Sequence, residues 1–486
     1  MLDNKEVNET VTKWKRINMR NVDDLLGVEF IHDLYNRHEP KINSIRFRHT
    51  ITVWKDGIVN SYAPVDEWER LGELLGYQYY ALNTFIVEQT KNLYHRKREH
   101  FHEFMRQLEK TEFATLLNDD LAALLINFQS IVLGELYVLN FVQIEHGLNT
   151  AVKQIINEIN SDKSGAENIF VQLIQTEIPT ASQKERRKLY LLAQKWRLLK
   201  KISLYKKDKA EKDVRRHSEK YGHLYSAYGE SPRSFEDFWT TFQDYLQNKQ
   251  SPPKKILFPK LLTHGAKKIL KELGNEKLNV LIPLLVQGGV FRDTNKALLG
   301  LSIKYRFLVL DEIARRGIET RDNLKWYLLS EITALLRDSK KLSMDEIETR
   351  KNNGVVVTRY EDFRVYTEGM LPVAERKEGK KILRGQCASP GICIGECKIV
   401  FTKEDADKVQ QGDIMVAIGT DFDLIEAMYR SAAVVTEEGG ILSHASVVCR
   451  ELNKPCCIGV KDATRLLQDN QKVRVNATQG EILLLE

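Results

Sequence analysis

The sequence predicts a multidomain protein, mostly α-helical through its N-terminal and middle regions and closing with a C-terminal α/β domain. Two observations carry that expectation. From about Val65 to Asn248, apolar residues such as Leu71, Leu75, Tyr79, Leu82 and Ile86 recur at helical spacing, and only Pro179 and Pro232 interrupt the run. Past residue 385 the pattern changes to short β-branched stretches separated by glycine turns. A chain of 486 residues has room for roughly two to four domains. Hydrophobic content of 42% with 29% charged residues suits a soluble chain with sizeable cores.

In order, residues 1–75 read as a mixed α/β region. Thr50-Ile-Thr-Val-Trp54 followed by Asp56-Gly57 predicts a hairpin, and Asp66–Arg70 opens a helix. Residues 76–375 read as a helical domain. Its most apolar stretch, Leu121 to Val142, contains Asn127, Gln129, Glu135 and Asn140, which predicts a buried core helix and not a membrane span. His95, His100 and His102 lie on a charged stretch. His100 and His102 are two apart and do not share a helix face, which favours a solvated surface over a metal site.

The run Lys184–Arg216 holds fourteen Lys/Arg and four Asp/Glu. Such a stripe could meet nucleic acid or another phosphate-bearing partner. Leu189, Leu192, Trp196, Leu199 and Ile202 follow a helical period within it, so an amphipathic surface helix explains it as well. Gln250–Lys254 reads as a linker, Gly288-Gly289 as a break, and Asp293–Arg316 as a long helix stopped at Gly317. Shorter helices are expected near Leu329–Leu336 and Met344–Arg350. Arg376–Lys381 is polar, contains Gly379 and suits a flexible tether, set at residues 376–384. The polar N-terminus shows no secretory pattern, and a cytoplasmic location without membrane partners is expected. The six cysteines, Cys387, Cys393, Cys397, Cys449, Cys456 and Cys457, do not have the spacing of a zinc knuckle. They read as small core residues, and no metal site is expected.

The stretch Val434–Val460 concentrates the chemistry. Ala432–Thr436 predicts a buried strand and Gly439-Gly440 a sharp turn. Ser443 suits the N-cap of a helix running from His444 to about Leu452, which Asn453 and Pro455 stop. Cys456–Val460 predicts the next strand. An imidazole in a first helical turn stands beside backbone N–H groups and the positive end of the dipole. A neutral ring nitrogen is also a competent nucleophile. The pattern suits a histidine that carries a phosphoryl group, although a lone histidine there could simply cap or pack.

These residues resemble the phosphohistidine swivelling domain of the PEP-utilising enzymes, a family that includes pyruvate phosphate dikinase, PEP synthase and rifampin phosphotransferase. The likeness rests on Gly439-Gly440, Ser443-His444-Ala445, Arg450-Glu451, Pro455 and Gly459, and extends to Ala388–Gly391, Gly395, Gly412–Val416 and Thr420. It implies that residues 385–486 form a swivelling domain with His444 as the catalytic residue. By the same resemblance Gly439, Gly440, Ser443, Thr420 and Arg450 shape the loop or hold the phosphoryl group. Leu442 and Val475-Asn476-Ala477 depart from the commoner family pattern, which blurs the subfamily more than the chemistry. A second, weaker likeness to the family's helical middle region covers His217–Tyr225 and Ser231–Phe238. It makes His217, Tyr221 and His223 candidate acceptor-binding residues, and a buried polar corner explains them equally.

No ATP-grasp domain and no α/β barrel can be read in this sequence. The resemblance then implies a dikinase-type phosphotransferase component. His444 would carry a phosphoryl group from ATP to a small-molecule acceptor in the helical domain. A separate ATP-grasp protein would load it and hold ATP and Mg²⁺. The rival reading is a non-catalytic docking or regulatory protein that uses the same fold, with the basic helix, to bind a partner or nucleic acid. A nucleophilic His444 is what separates the two.

Overall fold

The computed structural model describes residues 14–21, 24–36, 50–55, 58–73, 84–132, 141–160, 163–226, 232–248, 252–253, 259–358, 362–365, 382–401, 403–420, 424–440 and 443–485. The expected tether Arg376–Lys381 and Gln250, Ser251 and Lys254 of the expected linker lie outside these residues.

The N-terminal elements are β1 (Trp14–Asn21), α1 (Leu25–Asn36), β2 (Ile51–Lys55), β3 (Ile58–Pro64) and α2 (Val65–Glu73). Lys55 pairs with Ile58, so the expected hairpin closes across Asp56 and Gly57, themselves outside the described residues. The antiparallel sheet runs β1-β3-β2-β4-β5. Its last two strands, β4 (Val355–Thr358) and β5 (Asp362–Val365), come from the stretch expected to be helical. Val355-Val-Val-Thr358 is β-branched throughout, and it pairs with Ile51–Trp54. The N-terminal sheet is thus completed by chain from beyond the helices. Leu25, Val28, Trp54 and Trp68 share one core with Phe101, Leu125, Leu310, Tyr327 and Ile332, so a boundary at residue 75 cuts through a core.

Between these strands run α3 (Thr84–Glu109), α4 (Asn118–Ile131), α5 (Phe141–Ile159), α6 (Lys163–Leu173), α7 (Ala181–Lys201), α8 (Lys207–Tyr221), α9 (Phe235–Leu246), α10 (His264–Leu273), α11 (Glu276–Arg315), α12 (Arg321–Leu324), α13 (Leu329–Asp338) and α14 (Met344–Asn353). α11 is continuous over 40 residues and passes through Pro283 and Gly288-Gly289, where a break was expected. A glycine in a helix costs about 1 kcal/mol. Burial of Leu281, Ile282, Leu285 and Val286 before the pair, and of Leu298, Leu299 and Ile303 after it, outweighs that cost. α7, α8 and α9 form a small bundle around Leu189, Ala193, Trp196, Val214, Phe238, Phe242 and Tyr245. Ile202, expected on the buried side of α7, is instead 63% exposed, because the helix ends at Lys201 and the chain turns through Ser203 at φ 58°.

The C-terminal domain contains β6 (Ile382–Arg384), β7 (Gln386–Ser389), β8 (Ile392–Val400), α15 (Lys403–Ala406), β9 (Ile414–Ala417), α16 (Ile425–Arg430), β10 (Ala433–Thr436), α17 (His444–Glu451), β11 (Cys456–Ile458), α18 (Ala463–Leu466), β12 (Lys472–Asn476) and β13 (Glu481–Leu484). Its eight-stranded sheet is ordered β6-β13-β12-β8-β9-β10-β11-β7. The run β8-β9-β10-β11 is parallel and the flanks are antiparallel. One face packs Ile399, Ile414, Val435, Val473 and Ile482 into a core of its own. Met415, Val434, Cys449 and Cys456 from the other side join a cluster with Val152, Phe170, Leu278 and Leu281 of the helical region. Five cysteines are buried and Cys393 is half-buried. Burial pushes the Cys393 thiol up to about 11 and that of Cys397 up to about 12, so both stay protonated packing groups. Among the described residues no helix is long and apolar enough to cross a membrane, and no group of three His, Cys, Asp or Glu could hold a metal ion.

Candidate functional site

β9 and β10 are buried along their whole length and end side by side, Ala417 opposite Thr436. The loops that leave their carboxyl ends therefore start together, where parallel sheets commonly bind ligands. Two backbone bonds zip them: Glu437 N–H donates to Ala417 C=O at 3.0 Å and Glu438 N–H to Ile418 C=O at 2.7 Å. Gly439 adopts φ 122°, and a Cβ there would lie 2.9 Å from Ser443 Oγ, so the turn has room for glycine only. Ser443 caps α17 by accepting from Ser446 N–H. Ser446 Oγ in turn donates to Gly440 C=O at 2.9 Å, which ties the loop to the helix it precedes.

His444 is the first residue of α17. Its Nδ1 lies 3.0 Å from Thr420 Oγ1 in the loop after β9. When Nδ1–H donates to that hydroxyl, the lone pair sits on Nε2, and Nε2 is the nitrogen able to attack. Nε2 of the ring is buried among packed elements. Burial first, then Lys296 of α11 and Arg186 of α7, push its pKa down to about 3. The imidazole is neutral at physiological pH, as a nucleophile must be.

The two cations belong to the helical region. Ala181 N–H donates to the Asp293 carboxylate at 3.0 Å, which pins the start of α7 to the middle of α11. Arg186 also reaches the C-terminal domain. It donates to Tyr429 Oη on α16, with its guanidinium carbon 4.9 Å from the ring centroid. The first turn of α17, a neutral imidazole and the positive field of two cations together suit a phosphoryl anion.

Residues 409–480 match the family described as PEP-utilising enzyme, mobile domain. The C-terminal region carries that domain. A probable phosphoenolpyruvate synthase of Archaeoglobus fulgidus is 45% identical over 108 residues, covering 22% of this chain and 14% of that protein. The phosphoenolpyruvate synthase of Pyrococcus furiosus is 46% identical over 106 residues, covering 22% and 13%. The rifampicin phosphotransferase of Bacillus subtilis is 30% identical over 169 residues, covering 34% and 19%. The chain thus spans under a fifth of the length of these relatives. The last match is longer than residues 385–486, so it reaches beyond the mobile domain into the helical region.

Of the mobile-domain residues singled out by sequence, Gly439, Gly440, Ser443, Thr420 and His444 assemble at one point. Arg450 stands almost two turns further along α17 and donates to Ala388 C=O at 3.2 Å, tying the helix to β7. His217, Tyr221 and His223 lie in a separate polar corner. His217 Nε2 is 2.6 Å from the Glu185 carboxylate, and Tyr225 donates to that carboxylate's other oxygen. Tyr221 Oη accepts from Lys188 at 2.7 Å. His223 is pushed down to about 4 by burial and then by Lys304, and its backbone lies against Gly300 of α11, where any Cβ would clash. The sequence reading missed Arg186, Lys296 and Tyr429. Arg186 sits inside the basic run, where nothing local sets it apart from its exposed neighbours.

Proposed function

We propose that this chain is a phosphotransferase component in which Nε2 of His444 carries a phosphoryl group from a separate ATP-grasp protein to a small acceptor held by the helical region. The observation that carries the reading is the neutral His444 at the start of α17, held by Thr420 and facing Arg186 and Lys296. Transferase chemistry agrees with the mobile-domain match and with the relatives' names. The partner-loaded route follows from the resemblance. On this reading the partner holds ATP and Mg²⁺, and the positive field of Arg186 and Lys296 at His444 suits the phosphoryl group itself.

In loading, the Nε2 lone pair attacks the β-phosphorus of ATP. An N–P bond forms as the P–O bond to AMP breaks, and water then removes the terminal phosphate. In discharge, an acceptor oxygen attacks the phosphorus still on His444. The N–P bond breaks, its electron pair returns to Nε2, and the acceptor's proton passes to solvent or to the imidazole. Thr420 holds the tautomer through both steps, and Arg186 and Lys296 offset the charge on the transferring group. Incubation with radiolabelled ATP and a candidate ATP-grasp protein should place acid-labile, alkali-stable label on the chain. The His444→Ala variant should take up none; label that persists in it would falsify the assignment.

A further inference from the structure

The turn between α7 and α8 carries apolar residues that the core of the bundle does not use. Leu198, Ile202 and Leu204 are 64%, 63% and 58% exposed. The turn has a set shape, since Leu204 N–H donates to Leu199 C=O at 2.8 Å and Ser203 adopts φ 58°. Exposed lysines flank these three side chains along the chain: Lys200, Lys201, Lys206 and Lys209. Among the described residues none of the four makes an ion pair. Lys207 meets Glu211 at 3.6 Å, and Asp208 is the exposed acid of the turn.

Large aliphatic side chains held in water beside unpaired cations mark a surface that meets something else. Three kinds of partner carry the matching charge. A nucleic acid answers the lysines, but its phosphates offer nothing to leucine and isoleucine. Tyr205, the aromatic ring of the turn, packs edge-on against Trp196 and is not laid open for a base. An acidic protein answers the charge as well, but the cores of protein interfaces are depleted in lysine. An anionic bilayer answers both features. Aliphatic side chains enter the headgroup boundary, while lysine stems lie along them and hold their ammonium groups at the lipid phosphates. We propose that the α7–α8 turn docks this chain on a membrane surface rich in anionic phospholipid, with Leu198, Ile202 and Leu204 inserted and the flanking lysines on the headgroups. The sequence expectation of no membrane partner rested on the lack of a secretory pattern and of a spanning stretch, and a surface contact needs neither. The inference is independent of the phosphohistidine reading, because no residue of the turn belongs to the His444 site.

The test is sedimentation of the full-length chain with vesicles. One set is phosphatidylcholine with about 30% phosphatidylglycerol, and the other is phosphatidylcholine alone. The chain should bind the first and not the second, and should come off as salt rises from about 0.1 M to about 0.5 M. Lys200→Gln with Lys201→Gln should weaken binding about fivefold per lysine. Leu198→Ser with Ile202→Ser keeps every charge and should weaken it about tenfold or more. The substituted residues are exposed, so these variants should keep the wild-type Tm. In Ile202→Trp, the fluorescence of the new indole should shift to the blue on anionic vesicles, because the ring leaves water. Equal binding to both vesicle types, wild-type binding by the double serine variant, or an unshifted indole overturns the inference. So does a chain that ignores the vesicles and instead binds a short DNA duplex, or poly-glutamate standing in for an acidic protein.

Discussion

His217 and His444 are the same residue type placed in opposite surroundings. His217 on α8 meets the Glu185 carboxylate at 2.6 Å, and the rings of Tyr221 and Phe238 lie 4.7 Å and 5.5 Å away. His444 bonds a neutral hydroxyl and faces Lys296 and Arg186. Charge around His217 is balanced by a group already in the fold. The cations near His444 add positive field at an uncharged ring. One helix serves both, because Glu185 and Arg186 are consecutive on α7 and successive helical residues point about 100° apart. A carboxylate serves one histidine and a cation acts on the other; on the proposed function the first is a structural corner and the second the site.

The sharpest way to break this comparison is to remove the carboxylate. Glu185→Ala strands the buried His217 ring and the Tyr225 hydroxyl, at a cost of about 3 kcal/mol. The apparent Tm should fall by about 5 °C or more, while the folded protein still takes phosphoryl on His444. An unchanged Tm would mean that His217 is not a structural corner and would return it to the acceptor-binding candidates.

A smaller effect is expected from Thr420→Val, which keeps the volume and removes the hydroxyl from Nδ1. With the tautomer no longer held, His444 should take up label from ATP and the candidate ATP-grasp protein about tenfold more slowly, the loss of roughly one hydrogen bond. Tm should hardly move. Wild-type reactivity in this variant would show that Thr420 does not orient the ring.

The smallest effect is a pH dependence of docking. Undocked, His444 would bind a proton near its ordinary value of 6.5, and docked only near 3. Below pH 6.5 protons therefore favour the undocked form, and the docking constant should fall by up to about tenfold per pH unit. Above pH 7 it should be flat. Scattering profiles at pH 7 and pH 5 would read this, with His444→Ala as the flat control. If the wild type is as compact at pH 5 as at pH 7, burial and the two cations do not hold the docked imidazole neutral.

Much of the site was legible because it is local. The N-cap at Ser443, the turn at Gly439 and the stop at Asn453, which adopts φ 50°, depend on backbone rules that act over a few residues. The alternation of buried strands and loops past residue 385 is also a local pattern. The misreadings were non-local. Gly288-Gly289 looked like a break because helix propensity counts only the residues themselves, whereas cores on either side of the pair hold α11 straight through it.

The sequence by itself determined the helical and α/β regions, the loop and cap around His444, and the chemistry one imidazole could perform there. Only the tertiary structure decided which charges surround that imidazole. Arg186 reaches Tyr429 across 243 residues of chain. In the sequence Arg186 is one basic residue among fourteen. Coulomb interaction depends on distance in space and on burial, and neither is set until α7, α11 and the mobile domain have packed.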